Sequence, residues 1–155
     1  MQLLAQEEYG LRCLLELSRH EEERPLTIHE IAKAEGLSPD YAAKLLRELR
    51  RGGLVVSTRG AAGGYRLTRR AREITVWDAI EVLGGSLFPE RFCECHPGQH
   101  AQCVRRDNCS LRAIWRAVDG AVRQVLAGVT LSDLTRNEPA MSEWLRDTTN
   151  PRRSP

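Results

Sequence analysis

Thr27-Ile28-His29-Glu30-Ile31-Ala32-Lys33-Ala34-Glu35-Gly36-Leu37-Ser38-Pro39-Asp40-Tyr41 is the stretch whose chemistry decides the fold. Thr27 and Glu30 have the Thr-x-x-Glu spacing of a capping box, in which hydroxyl and carboxylate each satisfy an orphan backbone N–H at a helix start. The helix this begins, over 28–35, meets Gly36, the residue that takes a left-handed C-terminal turn at least cost. A second helix starts at once. Ser38 can cap it, Pro39 suits its first turn, and Asp40 favours its positive end. Tyr41, Leu45, Leu46 and Leu49 give it a buried stripe before Gly52-Gly53 stops it. Two helices joined by a turn at Gly36-Leu37 predict a helix-turn-helix.

The flanks extend this pattern. Leu3, Leu4, Leu11, Leu14, Leu15 and Leu17 predict an amphipathic helix ending near Arg19, followed by a polar break over 21–25. On the other side, Leu54-Val55-Val56-Ser57 and Tyr65-Arg66-Leu67 are short β-type runs around a glycine-rich turn, the layout of a winged helix. Thr75 to Asp78 reads as another helix start, running to Gly84-Gly85. The cysteine-bearing segment, with Pro89, Pro97 and Gly98, reads as loop. Leu111, Ile114, Trp115, Val118, Val122, Val125 and Leu126 then mark a long helix ending at Gly128. Its stripe spans more than two heptads, which suits burial within its own monomer or against a second copy. Short helices are expected over 131–134 and 140–145, with a frayed, disordered tail at 148–155.

Composition sets the class. A chain of 155 residues, 41% apolar and 28% charged, is one ordinary domain with a small extension. No apolar run approaches the roughly 18 residues of a membrane span, and the N-terminus lacks the basic start of an export signal, so no membrane partner and a cytoplasmic location are expected. Charge is nearly balanced, 23 basic against 21 acidic residues, but it is segregated. Between Tyr41 and Arg72 stand nine positive side chains and one negative, Glu48. A positive face on a near-neutral protein suits a polyanion. In a helix-turn-helix the second helix enters the major groove, so Ser38, Tyr41, Lys44 and Arg47 are candidate contacts to phosphate and base edges of double-stranded DNA. Arg59, with Gly60 at the hairpin tip, is the candidate minor-groove contact.

Five cysteines in a reducing compartment argue for metal or redox chemistry, because Cys93, Cys95, Cys103 and Cys109 fall within 17 residues. Soft thiolates suit zinc or an iron-sulfur cluster. Paired Cys-x-x-Cys knuckles are absent, and Cys95-x7-Cys103-x5-Cys109 spreads three ligands widely enough to surround a cluster. Cys93 is an extra thiol that an extended loop would point the same way as Cys95. Cys13 reads as a small core residue.

These features together resemble the winged-helix regulators of the iron-sulfur cluster regulator (IscR) superfamily, which includes the NsrR and RirA branches. The carriers are Tyr9-Gly10-Leu11-Arg12, Ile31-Ala32, Leu37 to Tyr41, Leu45 to Val55, the wing Arg59-Gly60-Ala61-Ala62-Gly63-Gly64-Tyr65-Arg66-Leu67, and a three-cysteine loop before a long helix. The resemblance covers about residues 1–145. It implies a mainly α fold: a winged helix-turn-helix DNA-binding domain over 1–75, then cluster-binding loop and dimerisation helices over 76–147. It further implies a homodimer on a double-stranded operator, acting as a repressor or other regulator, with a 2Fe-2S or 4Fe-4S cluster on Cys95, Cys103 and Cys109. The IscR branch places a histidine three residues after the last cysteine, where this chain has Arg112. The NsrR branch uses an N-terminal aspartate, and Glu8 stands at that place; Cys93, His96 and His100 are rival fourth ligands. The alternatives are a zinc-stabilised DNA-binding protein and, from another class, a thiol redox enzyme, which no Cys-x-x-Cys pair on a βαβ unit supports.

Overall fold

The structure, a computed structural model, describes residues 4–60, 63–84 and 92–148, with the side chains of Phe92 and Cys93 excluded. Its elements are α1 (Ala5–Arg19), α2 (Ile28–Glu35), α3 (Pro39–Arg51), β1 (Val55–Thr58), β2 (Gly64–Leu67), α4 (Val76–Leu83), α5 (Phe92–Cys95), α6 (Ser110–Ala127) and α7 (Glu138–Thr148). Short 3-10 turns at Ala71–Glu73 and Asp133–Thr135 join them.

Local chemistry explains the first half. The Thr27 hydroxyl accepts from the Glu30 N–H at 3.3 Å while the Glu30 carboxylate accepts from the Thr27 N–H at 2.8 Å. Gly36 closes α2 in the left-handed region, φ 66°, and the Leu37 N–H returns to the Ala32 carbonyl at 2.8 Å. Ser38 Oγ accepts from the Tyr41 N–H at 3.2 Å, starting α3 with Pro39 in its first turn. The wing is antiparallel, with Val55 opposite Leu67, Val56 opposite Arg66, Ser57 opposite Tyr65 and Thr58 opposite Gly64.

Leu26, in the connection before α2, adds a single residue to the wing. Its N–H donates to the Tyr65 carbonyl at 3.0 Å and its carbonyl accepts from the Tyr65 N–H at 2.7 Å. A Cβ on Gly64 would lie 2.5 Å from that Leu26 carbonyl, so glycine is needed for the backbones to meet.

One apolar core unites Leu14, Leu17, Ile31, Leu45, Leu46, Leu49 and Val55 with Ile74, Leu83 and Leu131 from the second half. A second, smaller cluster gathers Val76, Trp77, Ile80 and Val129, flanked by Leu126 of α6 and Met141, Trp144 and Leu145 of α7. The two halves of the chain thus share packing through α4.

One expectation changes. The cysteine segment is not loop throughout: Phe92–Cys95 forms a helical turn before Pro97 and Gly98 end it. The alternation that would align positions 93 and 95 belongs to extended backbone and does not apply there. Of the tail, Thr148 closes α7, while 149–155 lie outside the described residues. Gly85 and Pro89 also lie outside them.

Candidate functional site

The exposed side of α3 is basic. Lys44 and Arg47, three residues apart, share a helix face and are exposed, with Asp40 one turn earlier. Arg59 is exposed at the hairpin tip beside Gly60, whose φ of 107° only glycine adopts readily. Among the described residues, none of Lys44, Arg47 and Arg59 takes part in an ion pair, whereas Arg51 is held by Glu48 at 2.9 Å. Ser38 is exposed; accepting from the Tyr41 N–H uses a lone pair and not the hydroxyl proton, so it can still donate outward. Tyr41 is half-buried, its ring edge-on to Tyr9 with centroids 5.9 Å apart. The structure therefore places Ser38, Lys44, Arg47 and the Arg59-Gly60 tip on the surface and makes Tyr41 partly an anchor. Ala61 and Ala62, in the same turn, lie outside the described residues.

Further residues fix this surface, and the spacing of apolar positions gave no sign of them. Arg12 Nε donates to Glu35 Oε2 at 2.8 Å and its Nη2 to the Glu35 carbonyl at 2.9 Å, while its guanidinium stacks on Tyr9 at 5.3 Å. Tyr9 and Arg12 of α1 thus grip the chain on both sides of the turn, Glu35 before it and Tyr41 after it. At the other end of α3, Arg50 donates to Ser57 Oγ of β1 at 3.0 Å, tying the recognition helix to the wing. The only available signal was the string Tyr9-Gly10-Leu11-Arg12, which marks the positions without saying what they touch.

The thiols form a separate region. Cys95 is exposed, and Cys103 and Cys109 are half-buried; none is in a disulfide. Cys109 precedes α6 and its carbonyl accepts from the Ala113 N–H at 3.4 Å. Cys103 starts a turn in which its carbonyl accepts from the Arg106 N–H at 3.0 Å. Beside it opens a cavity of about 430 Å³ that Cys103 lines together with Arg106 and Arg112. His96 and His100 are exposed in the same loop, and Glu8 is exposed in the first turn of α1. Among the described residues, no three of the His, Cys, Asp and Glu side chains stand close enough to hold one metal ion. The Cys93 side chain lies outside them. Cys13, by contrast, is fully buried in α1, and burial pushes its thiol up to about 12.

Residues 3–137 match the model of the Rrf2 family, described as iron-dependent transcriptional regulators. The chain belongs to the Rrf2 family. It is 37% identical over 137 residues to protein rrf2 of Nitratidesulfovibrio vulgaris Hildenborough, a match spanning 88% of this chain and 89% of that one. It is 30% identical over 155 residues to the transcriptional regulator IscR of Photorhabdus laumondii, spanning 100% of this chain and 92% of that one. Among solved structures, T. potens IscR superposes with a TM-score of 0.69 at 33% identity, covering 87% of this chain and 86% of that one. CymR of B. subtilis, the global cysteine regulator, superposes with a TM-score of 0.70 at 33% identity, covering 86% and 95%. This Rrf2-family protein is therefore a DNA-binding transcription regulator of the IscR type, and its relatives are regulators rather than enzymes. Its mainly α winged-helix fold agrees with those structures. No helix among the described residues is long and apolar enough to cross a membrane.

Proposed function

We propose that this Rrf2-family regulator works as a homodimer in the reducing cytoplasm and that an iron-sulfur cluster on its cysteine loop controls its grip on a double-stranded operator. The observation that carries the reading is the pairing, in one chain, of an exposed basic helix face and wing with a separate loop of three unbridged thiols, one exposed and two half-buried. The donor set fits the group in chemistry, because thiolates are the ligands such clusters take. Cys95, Cys103 and Cys109 would supply three ligands and Glu8, from the partner subunit, the fourth; the loop must close around the group, since the described side chains do not converge by themselves. A carboxylate is an exchangeable ligand for a soft site, which suits a sensor of iron, nitric oxide or redox state.

Ser38, Tyr41, Lys44 and Arg47 would meet the major groove and Arg59 and Gly60 the minor groove or its phosphates. The functional division is residues 1–75 for DNA and 76–147 for cluster and dimer. Cluster loss or modification would change the spacing of two recognition helices over half-sites about one DNA turn apart, and a coupling of about 1 to 3 kcal/mol suffices for a switch.

The test is anaerobic reconstitution followed by operator binding of the loaded and cluster-free forms. A difference of about five- to 150-fold is expected; equal affinities remove the sensing role. Arg59→Ala should weaken operator binding and leave the visible cluster spectrum as it was. Colourless protein with one zinc per chain and no iron or sulfide would favour the zinc-stabilised reading instead.

A further inference from the structure

In a helix-turn-helix the first turn of the second helix lies nearest the base edges, and here the core holds that turn only lightly. Ser38, Pro39 and Asp40 are exposed, and the first fully buried side chain of α3 is Ala42. Before them Gly36 is exposed, and Leu37 leans on the core without being buried in it. Two contacts from α1 cross this stretch. Tyr9 meets the half-buried Tyr41 ring at 5.9 Å and 81°, on the far side of the turn. Arg12, three residues on, lays its guanidinium on the Tyr9 ring at 5.3 Å and reaches the near side. Its Nε donates to the Glu35 carboxylate at 2.8 Å and its Nη2 to the Glu35 carbonyl at 2.9 Å. That carbonyl is among the last four of α2, which a helix leaves without an internal partner, and the carboxylate, only 9% exposed, has Arg12 as its ion partner among the described residues.

Arg12, Tyr9 and Tyr41 thus form one layered series that bridges the turn from outside. Only a planar fork can both stack on a ring and donate to two oxygens in fixed directions; an ammonium is a point charge with no plane. Hydrogen bonds to base edges are short and directional, whereas the pull of cations on phosphates is long-ranged and blind to sequence. A small change in the angle of this turn therefore costs discrimination first and general DNA attraction last. We propose that Tyr9 and Arg12 are positioning residues for sequence discrimination, holding the base-reading turn of α3 at its angle without touching DNA themselves. The inference rests on the reading of α3 as the major-groove helix and is independent of the cluster.

The experiment uses two probes, the duplex that the full-length wild type selects from a randomised pool and a shuffled duplex of the same composition. Affinity for each is measured over a range of salt, with helix content followed by circular dichroism. Arg12→Lys, which keeps the charge, and Tyr9→Leu should each lower the ratio of selected to shuffled affinity about tenfold, the order of one lost base contact. Their affinity for the shuffled duplex, its salt slope and their helix content should match wild type. Tyr9→Phe, which keeps the ring that meets Tyr41, should keep the wild-type ratio. Glu35→Ala removes a negative charge, which alone would tighten binding to both duplexes, yet its ratio should fall as well. A wild-type ratio in Arg12→Lys and Tyr9→Leu overturns the inference. Equal losses on both duplexes with loss of helix content also overturn it, by making the two residues ones of folding. If Lys44→Ala and Arg47→Ala both keep the wild-type ratio, the reading of α3 itself fails and takes the inference with it, an outcome distinct from the other two.

Discussion

A methyl group at position 64 would press within 2.5 Å of the Leu26 carbonyl oxygen, a backbone atom that cannot swing aside as a side chain can. Gly64→Ala should therefore part Leu26 from Tyr65 and loosen the seat of the wing. The expected cost is about 1 to 3 kcal/mol, the usual penalty of overpacking, read by thermal or denaturant unfolding, together with weaker operator binding. Gly10 is similar: a Cβ there would meet the buried Leu83 side chain at 2.4 Å, so α1 and α4 touch through a glycine. The residues of Tyr9-Gly10-Leu11-Arg12 thus have separate duties. Tyr9 abuts Tyr41, Gly10 admits Leu83, Leu11 packs on both cores, and Arg12 holds Glu35. The contacts of Tyr9, Gly10 and Arg12 could not be read from sequence, because they join positions 32, 73 and 23 residues apart, whereas periodicity reports only neighbours on one element.

At the level of elements, the helix-turn-helix and wing were legible because their signals are local. A capping box, a glycine after the helix and a proline in the first turn act within four residues, and the observed bounds of α2 and α3 follow them. Less legible was the pairing of Leu26 with Tyr65, a single-residue bridge with no pattern of its own. The helical turn at Phe92–Cys95 was hidden because the breakers around it, Pro89 and Pro97, leave room for only one turn. The spacing of Cys95, Cys103 and Cys109 suggested a shared ligand set, yet among the described residues these side chains do not converge, because spacing along a loop does not fix where its side chains meet. The cap of α2 has a pH signature. Arg24, then the Thr27 N–H and hydroxyl, stabilise the Glu30 carboxylate and lower its pKa from the ordinary 4.5 to about 2. A depressed carboxylate contributes stability that is present above its ordinary pKa and lost as pH falls through the folded one. Wild type should thus lose stability between about pH 4.5 and about pH 2 relative to Glu30→Gln, which keeps an acceptor at the cap but does not titrate. Parallel acid-unfolding profiles for the two proteins would contradict this origin.

Across the whole molecule, α6 leaves most of an apolar face uncovered by its own chain. None of its residues is buried; Leu111 and Ile114 are each 59% exposed and Trp115 is 48% exposed. Its fastening lies near the C-terminal end, where Leu126 joins the second core and Arg123 stacks on Trp77 at 5.4 Å. An apolar face of this extent is costly in water, which supports the dimer reading. Ile114→Glu should shift the protein toward monomer in analytical ultracentrifugation while the winged helix keeps its fold, and operator affinity should fall because two half-sites are no longer bound together. A variant that sediments as wild type would place the interface elsewhere. The contrast between Cys13 and Cys95 has its own consequence. Locked in hydrocarbon, Cys13 hardly ionises at any physiological pH, so it is inert toward electrophiles, while Cys95 stands open to them. Chemical attack therefore reaches Cys95 before Cys13, and damage at the loop need not unravel the apolar core that seats the DNA reader.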